Sequence, residues 1–93
     1  MSLVCWAPEA IVDFGRIDRF NLTRSERWAD HVRTRIETRC KSLAALPQQG
    51  RPVGNGLRLL SIPDIQYVVF YDYGDEEVTV RRIFHTRENR EEP

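Results

Sequence analysis

The stretch that decides the fold is Gln66-Tyr67-Val68-Val69-Phe70-Tyr71-Asp72-Tyr73. It is rich in β-branched and aromatic residues, and its apolar side chains fall at odd and even positions alike. A strand that is apolar on both faces is typical of the centre of a sheet. Turn residues bound it, with Pro63-Asp64 before it and Gly74-Asp75 after it. The sequence therefore predicts a sheet that has this run as its central strand.

Three further strands are predicted around this central run. Leu57–Ile62 precedes it and Glu77–His85 follows it, and a short β-rich run, Leu3–Trp6, opens the chain. Short turns join the last three strands, so these strands are expected to pair antiparallel. The segment from residue 48 to residue 56 is rich in Gly and Pro, and it is predicted to be a loop leading into the sheet.

Two amphipathic helices are predicted between the first strand and that loop. The first begins at Pro8, a residue type suited to the first turn of a helix. Its apolar stripe consists of Ala7, Ala10, Ile11, Phe14 and Ile17. Gly15 lies inside this helix, and a close helix crossing is one reason for a glycine there.

The second helix is predicted to begin at a capping box formed by Thr23 and Glu26. It is expected to run for about six turns and to end at Pro47. Its apolar stripe consists of Trp28, Ala29, Val32, Ile36, Cys40, Leu43 and Leu46. The short connection predicts an antiparallel helical hairpin.

These elements predict an α+β fold in which a helical hairpin packs on one face of a small twisted antiparallel sheet, in the order β-α-α-β-β-β. Residues 1–93 are predicted to form a single domain, because a chain of this length has room for one modest core. Residues 88–93 are predicted to be a flexible tail.

Composition excludes several classes of protein. The net charge is zero, with 14 basic and 14 acidic residues, which argues against a general polyanion binder. No apolar run approaches the roughly 18 residues that a membrane span needs, and no signal peptide is recognisable, so a cytoplasmic protein without membrane contact is expected. Cys5 and Cys40 are too far apart in sequence for a zinc motif, so neither a metal nor a cofactor is predicted.

Strand alternation predicts which side chains face away from the helices. If the helices cover Leu57 and Leu59, Arg58 lies on the uncovered face, together with Arg81 and His85 of the last strand. That alternation also predicts Phe84 for the core. The tyrosines of the central strand are assigned to the uncovered face, because their hydroxyls need water or partners.

Two interpretations of this face stay open at the level of sequence. It is either a binding surface, since Arg and Tyr are enriched at interfaces, or a solvated face that is polar for solubility alone. His85 is likewise either a proton-transfer group or a structural hydrogen-bonding residue that anchors the C-terminal segment.

An ordered set of short motifs resembles the ParE/RelE superfamily of bacterial toxins, over about residues 3–90. The motifs are Trp6-Ala7-Pro8-Glu9-Ala10, Leu43-Ala44-Ala45-Leu46-Pro47, Gly50-Arg51-Pro52, Gly56-Leu57-Arg58, Tyr67-Val68-Val69-Phe70-Tyr71 and Val80-Arg81-Arg82-Ile83-Phe84-His85-Thr86-Arg87. The resemblance implies the toxin of a type II toxin–antitoxin pair, with two helices against a small antiparallel sheet.

The superfamily has two branches with different targets. Members similar to RelE cleave messenger RNA on the ribosome, and Arg58, Arg81 and His85 match positions where such members place catalytic groups. Members similar to ParE inhibit DNA gyrase and are not enzymes. The chain has no lysine on its predicted sheet, no tyrosine after Arg87 and no net positive charge, and these departures favour the ParE-like branch.

The resemblance also implies which residues meet which partner. Contact with the target is assigned to Arg58, Tyr71, Arg81, His85 and Arg87. Contact with a cognate antitoxin is assigned to Phe20, Leu22 and Trp28, near the turn between the helices, with core packing as the alternative for Trp28. A heterotetramer of toxin and antitoxin is the assembly that this partnership suggests.

Overall fold

The computed structural model describes residues 2–87, so the predicted tail lies outside the described residues. Its elements, in chain order, are β1 (Leu3–Trp6), α1 (Pro8–Leu22), α2 (Glu26–Ser42), β2 (Arg51–Gly54), β3 (Leu57–Ile62), β4 (Tyr67–Gly74) and β5 (Glu77–His85). The strands form one sheet in the order β1-β5-β4-β3-β2. β1 runs parallel to β5, and the other neighbours are antiparallel. The predicted α+β fold, with β4 as the central strand, is confirmed.

One strand was not predicted. β2 lies inside the segment predicted to be a loop, and it pairs antiparallel with β3 through Arg51 opposite Leu59 and Pro52 opposite Arg58. β2 is one of the two edge strands of the described sheet, where a proline is tolerated because its missing N–H need not meet a neighbour. Gly54 and Gly56 both have positive φ angles, which allow the tight turn into β3.

The hairpin turn between the helices differs from the predicted capping box. The Thr23 hydroxyl donates to the Phe20 carbonyl at 2.6 Å, so Thr23 closes α1 instead of opening α2. Ser25 caps α2, because its hydroxyl oxygen accepts a hydrogen bond from the Trp28 N–H at 3.0 Å. A Ser N-cap satisfies one of the otherwise unpaired amides of the first turn.

Other details of the predicted helices are also wrong. α2 ends at Ser42, before Pro47, and Leu46 is 63% exposed instead of belonging to the apolar stripe. A side chain at Gly15 would meet only the flexible Arg19 guanidinium, at 3.5 Å, so no close helix crossing explains this glycine. Ile11 also departs from the predicted stripe of α1, being 58% exposed.

The core lies between the helical hairpin and one face of the sheet. Cross-strand pairs on this face include Leu60 with Val69 and Ile62 with Tyr67. The helices contribute the buried apolar residues Ala10, Ile17, Val32, Ile36, Cys40 and Leu43. Since β3 buries Leu60 and Ile62 against the helices, Arg58 shares the helix-covered face, and its predicted place on the uncovered face is wrong.

The carboxylate of Asp13 covers the edge of β5 beyond the end of β1. The last residue of β1, Trp6, lies opposite Val80, so the outer edge of β5 has no strand partner in the described chain beyond that point. Asp13 of α1 covers this edge, and its carboxylate accepts the Ile83 N–H at 2.9 Å and the Arg82 Nε at 2.8 Å. Asp13 is buried and therefore acts as a substitute for the missing strand.

Within residues 2–87, no helix has the length and the apolar run needed to cross a bilayer.

Candidate functional site

A β-bulge determines the orientation of the predicted site residues at the end of β5. Tyr71 pairs with Val80, but the preceding Phe70 pairs with Arg82, so Arg81 is an extra residue in β5. Side chains beyond the bulge therefore change faces relative to a regular strand. The prediction of Phe84 for the core is wrong, because Ile83 occupies the core and Phe84 packs on Phe70, with ring centroids 6.0 Å apart.

Tyr71 lies on the helix-covered face and has no exposed surface, so its predicted place on the uncovered face is wrong. Its hydroxyl donates to the Pro47 carbonyl at 2.7 Å and accepts the Gly50 N–H at 2.9 Å. Burial raises the pKa of this phenol, although the Gly50 N–H and the nearby Arg58 charge act in the opposite direction. Tyr71 holds the segment that leads into β2.

Arg58 lies opposite Tyr71 and contacts the same segment. Its guanidinium donates to the Gly50 carbonyl at 2.6 Å and to the Gln48 carbonyl at 3.3 Å. It also lies 5.8 Å from the centroid of the Tyr73 ring, within the range of a cation–π contact. These contacts fix one end of β2, and both hydrogen bonds come from the Nη1 atom of the guanidinium.

Arg81 lies on the uncovered face, as predicted, and it is exposed. Its Nε donates to the Asp72 carboxylate at 2.9 Å. The neighbouring Arg82 guanidinium lies 4.6 Å from the centroid of the Phe84 ring. The uncovered face therefore presents two neighbouring arginines, Arg81 and Arg82, beside Phe70 and Phe84. It does not present the predicted set of arginines and tyrosines.

His85 faces the helix-covered side, where its ring meets the Tyr67 ring edge to face at 5.1 Å. Its predicted place on the uncovered face is therefore wrong. The Nδ1 atom accepts the Arg87 N–H at 3.1 Å. This contact is the structural hydrogen bond that the second interpretation of His85 anticipated, because it anchors the chain just after β5.

A basic cleft lies beside His85, between the C-terminal half of α1 and the ends of β4 and β5. Its volume is about 710 Å³. It is lined by Arg16, Ile17, Phe20, Arg24, Gln66, Tyr67, His85 and Arg87. Arg16 and Arg24 were not predicted as site residues. The indication in the sequence was that these two arginines lie eight residues apart across the end of α1. This spacing places both beside β5 only when the helical hairpin packs against the sheet.

A buried asparagine supports the floor of the basic cleft. The Asn21 side chain donates to the Tyr67 hydroxyl at 3.1 Å and accepts the indole N–H of Trp28 at 2.9 Å. Trp28 is partly buried against the core, whereas the nearby Phe20 and Leu22 are 56% and 45% exposed. Of the three predicted antitoxin contacts, Phe20 and Leu22 thus expose about half of their surface.

No cluster of three or more His, Cys, Asp or Glu side chains that could hold a metal ion occurs within the described part of the chain. Burial raises the pKa of the Cys40 thiol to about 12, which keeps this thiol protonated and unreactive at neutral pH.

Comparison with known proteins agrees with this architecture. The sequence matches the family described as the ParE toxin of the type II toxin–antitoxin system parDE, over residues 4–90. Toxin RelE1 of Caulobacter vibrioides is 36% identical over 80 residues, which cover 84% of this chain and 86% of that protein. A structure of the chromosomal ParDE system from P. aeruginosa superposes with a TM-score of 0.81 at 19% identity, covering 91% of this chain and 96% of the other. This chain belongs to the ParE toxin family of type II toxin–antitoxin systems.

Proposed function

We propose that this toxin inhibits DNA gyrase in the cytoplasm by protein–protein contact, and that a cognate antitoxin neutralises it. Family membership implies the antitoxin. The observation that favours contact over catalysis is the dispersal of Arg58, Arg81 and His85, the three groups that cleavage of RNA would need together. Phosphodiester cleavage requires a proton-transfer group and phosphate-binding cations within reach of one substrate atom.

The separation of these residues follows from the strand register. Arg58 lies opposite Tyr71 on β4, and His85 lies opposite Tyr67, four residues away on the same strand. At about 3.3 Å per residue and about 4.8 Å between strands, their backbones are roughly 13 Å apart along β4 and roughly 10 Å apart across it. One ribose phosphate is too small to span that separation.

The partners of these groups also disfavour catalysis. Arg58 binds the backbone of the segment before β2, and Arg81 is paired with Asp72 on the opposite face of the sheet. The Nδ1 lone pair of His85 is occupied by the Arg87 N–H. A ribonuclease reaction would have to break the contacts of Arg58 and Arg81 before these two groups met a substrate.

The surface offered to a target consists of the described chain around the end of β5. Arg87 is exposed and His85 is partly exposed near it, whereas the exposed Arg81 lies on the opposite face of the sheet. Tyr71 is excluded from direct contact by its burial, and Arg58 contributes mainly by holding β2 in place. Antitoxin contact is assigned to Phe20 and Leu22 because both are exposed, whereas Trp28 is partly buried and donates its indole N–H to Asn21.

A paired assay tests this proposal. The purified toxin is added to a gyrase supercoiling reaction, and separately to a translating ribosome extract in which message length is followed. We expect loss of supercoiling and intact message. An unaffected supercoiling reaction together with cleaved message would refute the proposal and establish the RelE-like alternative, the ribosome-dependent endoribonuclease.

A single substitution separates the two mechanisms further. His85→Ala is expected to leave inhibition of gyrase within a few-fold of the original, because a contact surface loses little from one partly exposed ring. A ribonuclease that used His85 for proton transfer would lose about 10²–10⁴-fold in rate. Arg27→Ala, at an exposed position outside the cleft, serves as the matched control in both assays.

A further inference from the structure

The outward side of α1 is apolar over its first two turns. At spacings of three and four residues it carries Pro8, Ile11, Val12 and Gly15, opposite the buried side of the helix. Ile11 and Val12 are 58% and 66% exposed. A surface helix normally turns polar residues to solvent, so apolar residues on both sides indicate a helix that is covered on both. The described chain covers only the buried side, and we call the other side, formed by these four residues, the outer face of α1.

Gly15 lies within this face, and nothing inside the described chain requires a glycine there. Its φ angle is not positive, and a Cβ built on it would meet only the end of the Arg19 side chain, at 3.5 Å. A glycine inside a helix is destabilising relative to alanine. It does allow another backbone to approach closely, so its position on the outer face of α1 indicates a contact made from outside the chain.

Two charges of opposite sign lie at the ends of α1. Glu9 is in its first turn and Arg19 is in its last turn. Both are exposed, and neither forms an ion pair within residues 2–87. Glu9 also feels the charge of Arg82, but that guanidinium is bound to Asp13. The apolar outer face of α1 is therefore flanked by one acidic and one basic group.

A second copy of this chain fits the arrangement, because the outer face of α1 is complementary to itself. Two α1 helices that pack antiparallel about a two-fold axis bring Glu9 of each copy opposite Arg19 of the other. These residues are about 15 Å apart along the helix at 1.5 Å per residue, and the midpoint of that span lies next to Gly15. Val12 of each copy then lies over Gly15 of the other, where the missing side chain leaves room for it.

Other occupants match this surface less well. An anionic membrane attracts helices with several basic residues beside the apolar side, whereas here Arg19 is balanced by Glu9. A partner of one charge sign would be attracted at one end of α1 and repelled at the other. An antiparallel copy of the same helix satisfies both ends at once.

We propose that the outer face of α1 is a self-association surface, through which two copies of the toxin pack their α1 helices antiparallel. The inference goes beyond the proposed function and does not depend on gyrase as the target. Neither Ile11 nor Val12 lines the basic cleft, so the contact is separate from it. Because the surface is one helix wide, the dimer is expected to be weak and concentration-dependent.

Charge exchange tests the antiparallel arrangement. Sedimentation velocity of the full-length toxin, from low to high micromolar concentration, should show a monomer–dimer equilibrium. Glu9→Arg and Arg19→Glu each place like charges opposite one another, so each should weaken dimerisation by about 10-fold or more. The double variant restores opposite charges and should return to within about 3-fold of the original affinity. Arg27→Glu, at an exposed position of α2 outside this face, is the matched control and should stay within about 3-fold.

Gly15→Ala separates self-association from folding. Alanine is the better helix former, and its Cβ meets only the movable end of Arg19, so the midpoint of thermal unfolding should rise by a few degrees. The same methyl group holds the two backbones apart, so dimerisation should weaken by about 5-fold or more. A more stable variant with unchanged dimerisation would show that Gly15 faces only water, and the proposal would fail.

Further outcomes would overturn the proposal. One is a toxin that stays monomeric at every concentration, and another is a double charge variant that dimerises as poorly as the single ones. Val12→Asp identifies a different occupant if the toxin is monomeric. Loss of antitoxin binding in this variant would assign the face to the antitoxin. Loss of cosedimentation with vesicles of equal phosphatidylcholine and phosphatidylglycerol would assign it to a lipid surface.

Each variant is first shown to be folded by thermal unfolding. Glu9, Val12, Arg19 and Arg27 are all exposed, so their replacement is expected to leave the unfolding midpoint within a few degrees of the original. Dimerisation is measured without gyrase or antitoxin, so the result is independent of the supercoiling assay.

Discussion

Replacing Asp13 should reveal how much the protein depends on a polar group placed at the free edge of β5. Asp13→Ala removes the acceptor of the Ile83 N–H and the partner of Arg82. Asp13→Asn keeps the shape and one oxygen but removes the charge. The two variants therefore separate the loss of a backbone hydrogen bond from the loss of an ion pair.

The expected magnitudes follow from burial. The Ile83 N–H is buried, and leaving it without an acceptor costs about 1–3 kcal/mol. The Arg82 side chain is 46% exposed, so water compensates much of its lost contact. We expect Asp13→Ala to lower the free energy of unfolding by about 3 kcal/mol and Asp13→Asn by about 1–2 kcal/mol. For a domain of this size, 3 kcal/mol is a large part of the total stability.

Urea denaturation followed by far-UV circular dichroism measures these changes, and pH adds a second test. Burial alone would raise the pKa of Asp13, but the Arg82 and Ile83 hydrogen bonds and the Arg82 and Arg16 charges outweigh it, so the folded pKa lies below 3.8. A carboxylate with a depressed folded pKa stabilises the protein above its unfolded value of about 3.9, and this contribution is lost as the pH falls through the folded value. The difference between the original protein and Asp13→Asn should therefore shrink between pH 5 and pH 2.

Asp30→Asn is the control, because Asp30 is 74% exposed and its ion pair with Arg33 lies at the surface. It should change stability by less than about 0.5 kcal/mol. The reasoning would be refuted by a cost for Asp13→Ala no larger than that of the control. It would equally fail if the deficit of Asp13→Asn were the same at pH 2.5 and pH 7.

Three other substitutions test the contacts that position the sheet and the hairpin. Gly50→Ala should destabilise by about 2 kcal/mol or more in urea melts, because the added Cβ would lie 2.8 Å from the Leu59 carbonyl oxygen and 2.8 Å from the Tyr71 ring. Tyr71→Phe should cost about 1–3 kcal/mol, since Gly50 N–H and Pro47 C=O lose their partner, and hydrogen exchange should speed up in β2; an unchanged exchange rate would contradict it. Ser25→Ala should cost about 1 kcal/mol through the lost N-cap, measured as a lower midpoint of thermal unfolding, and a midpoint unchanged within error would count against it.

Hydrophobic periodicity predicted the helices and the long strands because each of them repeats its pattern over several turns or residue pairs. The bounds of β1, β3 and β5 match the predicted runs, and α1 begins at Pro8 as its sequence indicates. Such elements have enough buried side chains for the pattern to outweigh local exceptions.

The part of the site in β5 was less predictable because its orientation depends on one residue. Strand alternation assumes a continuous register, and the bulge at Arg81 reverses the assignment of His85 and Phe84. Nothing in the composition of Arg81-Arg82 marks it as a bulge. The position becomes evident only from the pairing with β4.

Buried polar residues were missed for a related reason. Asp13 and Asn21 occupy the inner side of α1, at the spacing of Ala10 and Ile17, and they are 3% and 2% exposed. From sequence alone, a polar residue is normally assigned to the solvated face of a helix even when its spacing matches that of the apolar residues. Asp13 is buried because it accepts a backbone N–H at the edge of β5. Asn21 is buried because it hydrogen-bonds an aromatic hydroxyl of the sheet and an indole N–H of α2.

The bulge in β5 divides the strand into two parts in which the side chains alternate in opposite phase. Up to Val80 even-numbered residues point toward the helices, whereas from Arg82 onward odd-numbered residues do. Deleting Arg81 would therefore remove the bulge without turning the strand, because Val80 would still lie opposite Tyr71 and Arg82 opposite Phe70. Ile83 would stay inside and His85 would stay beside the basic cleft, while the ion pair with Asp72 and the local bend of the bulge would be lost.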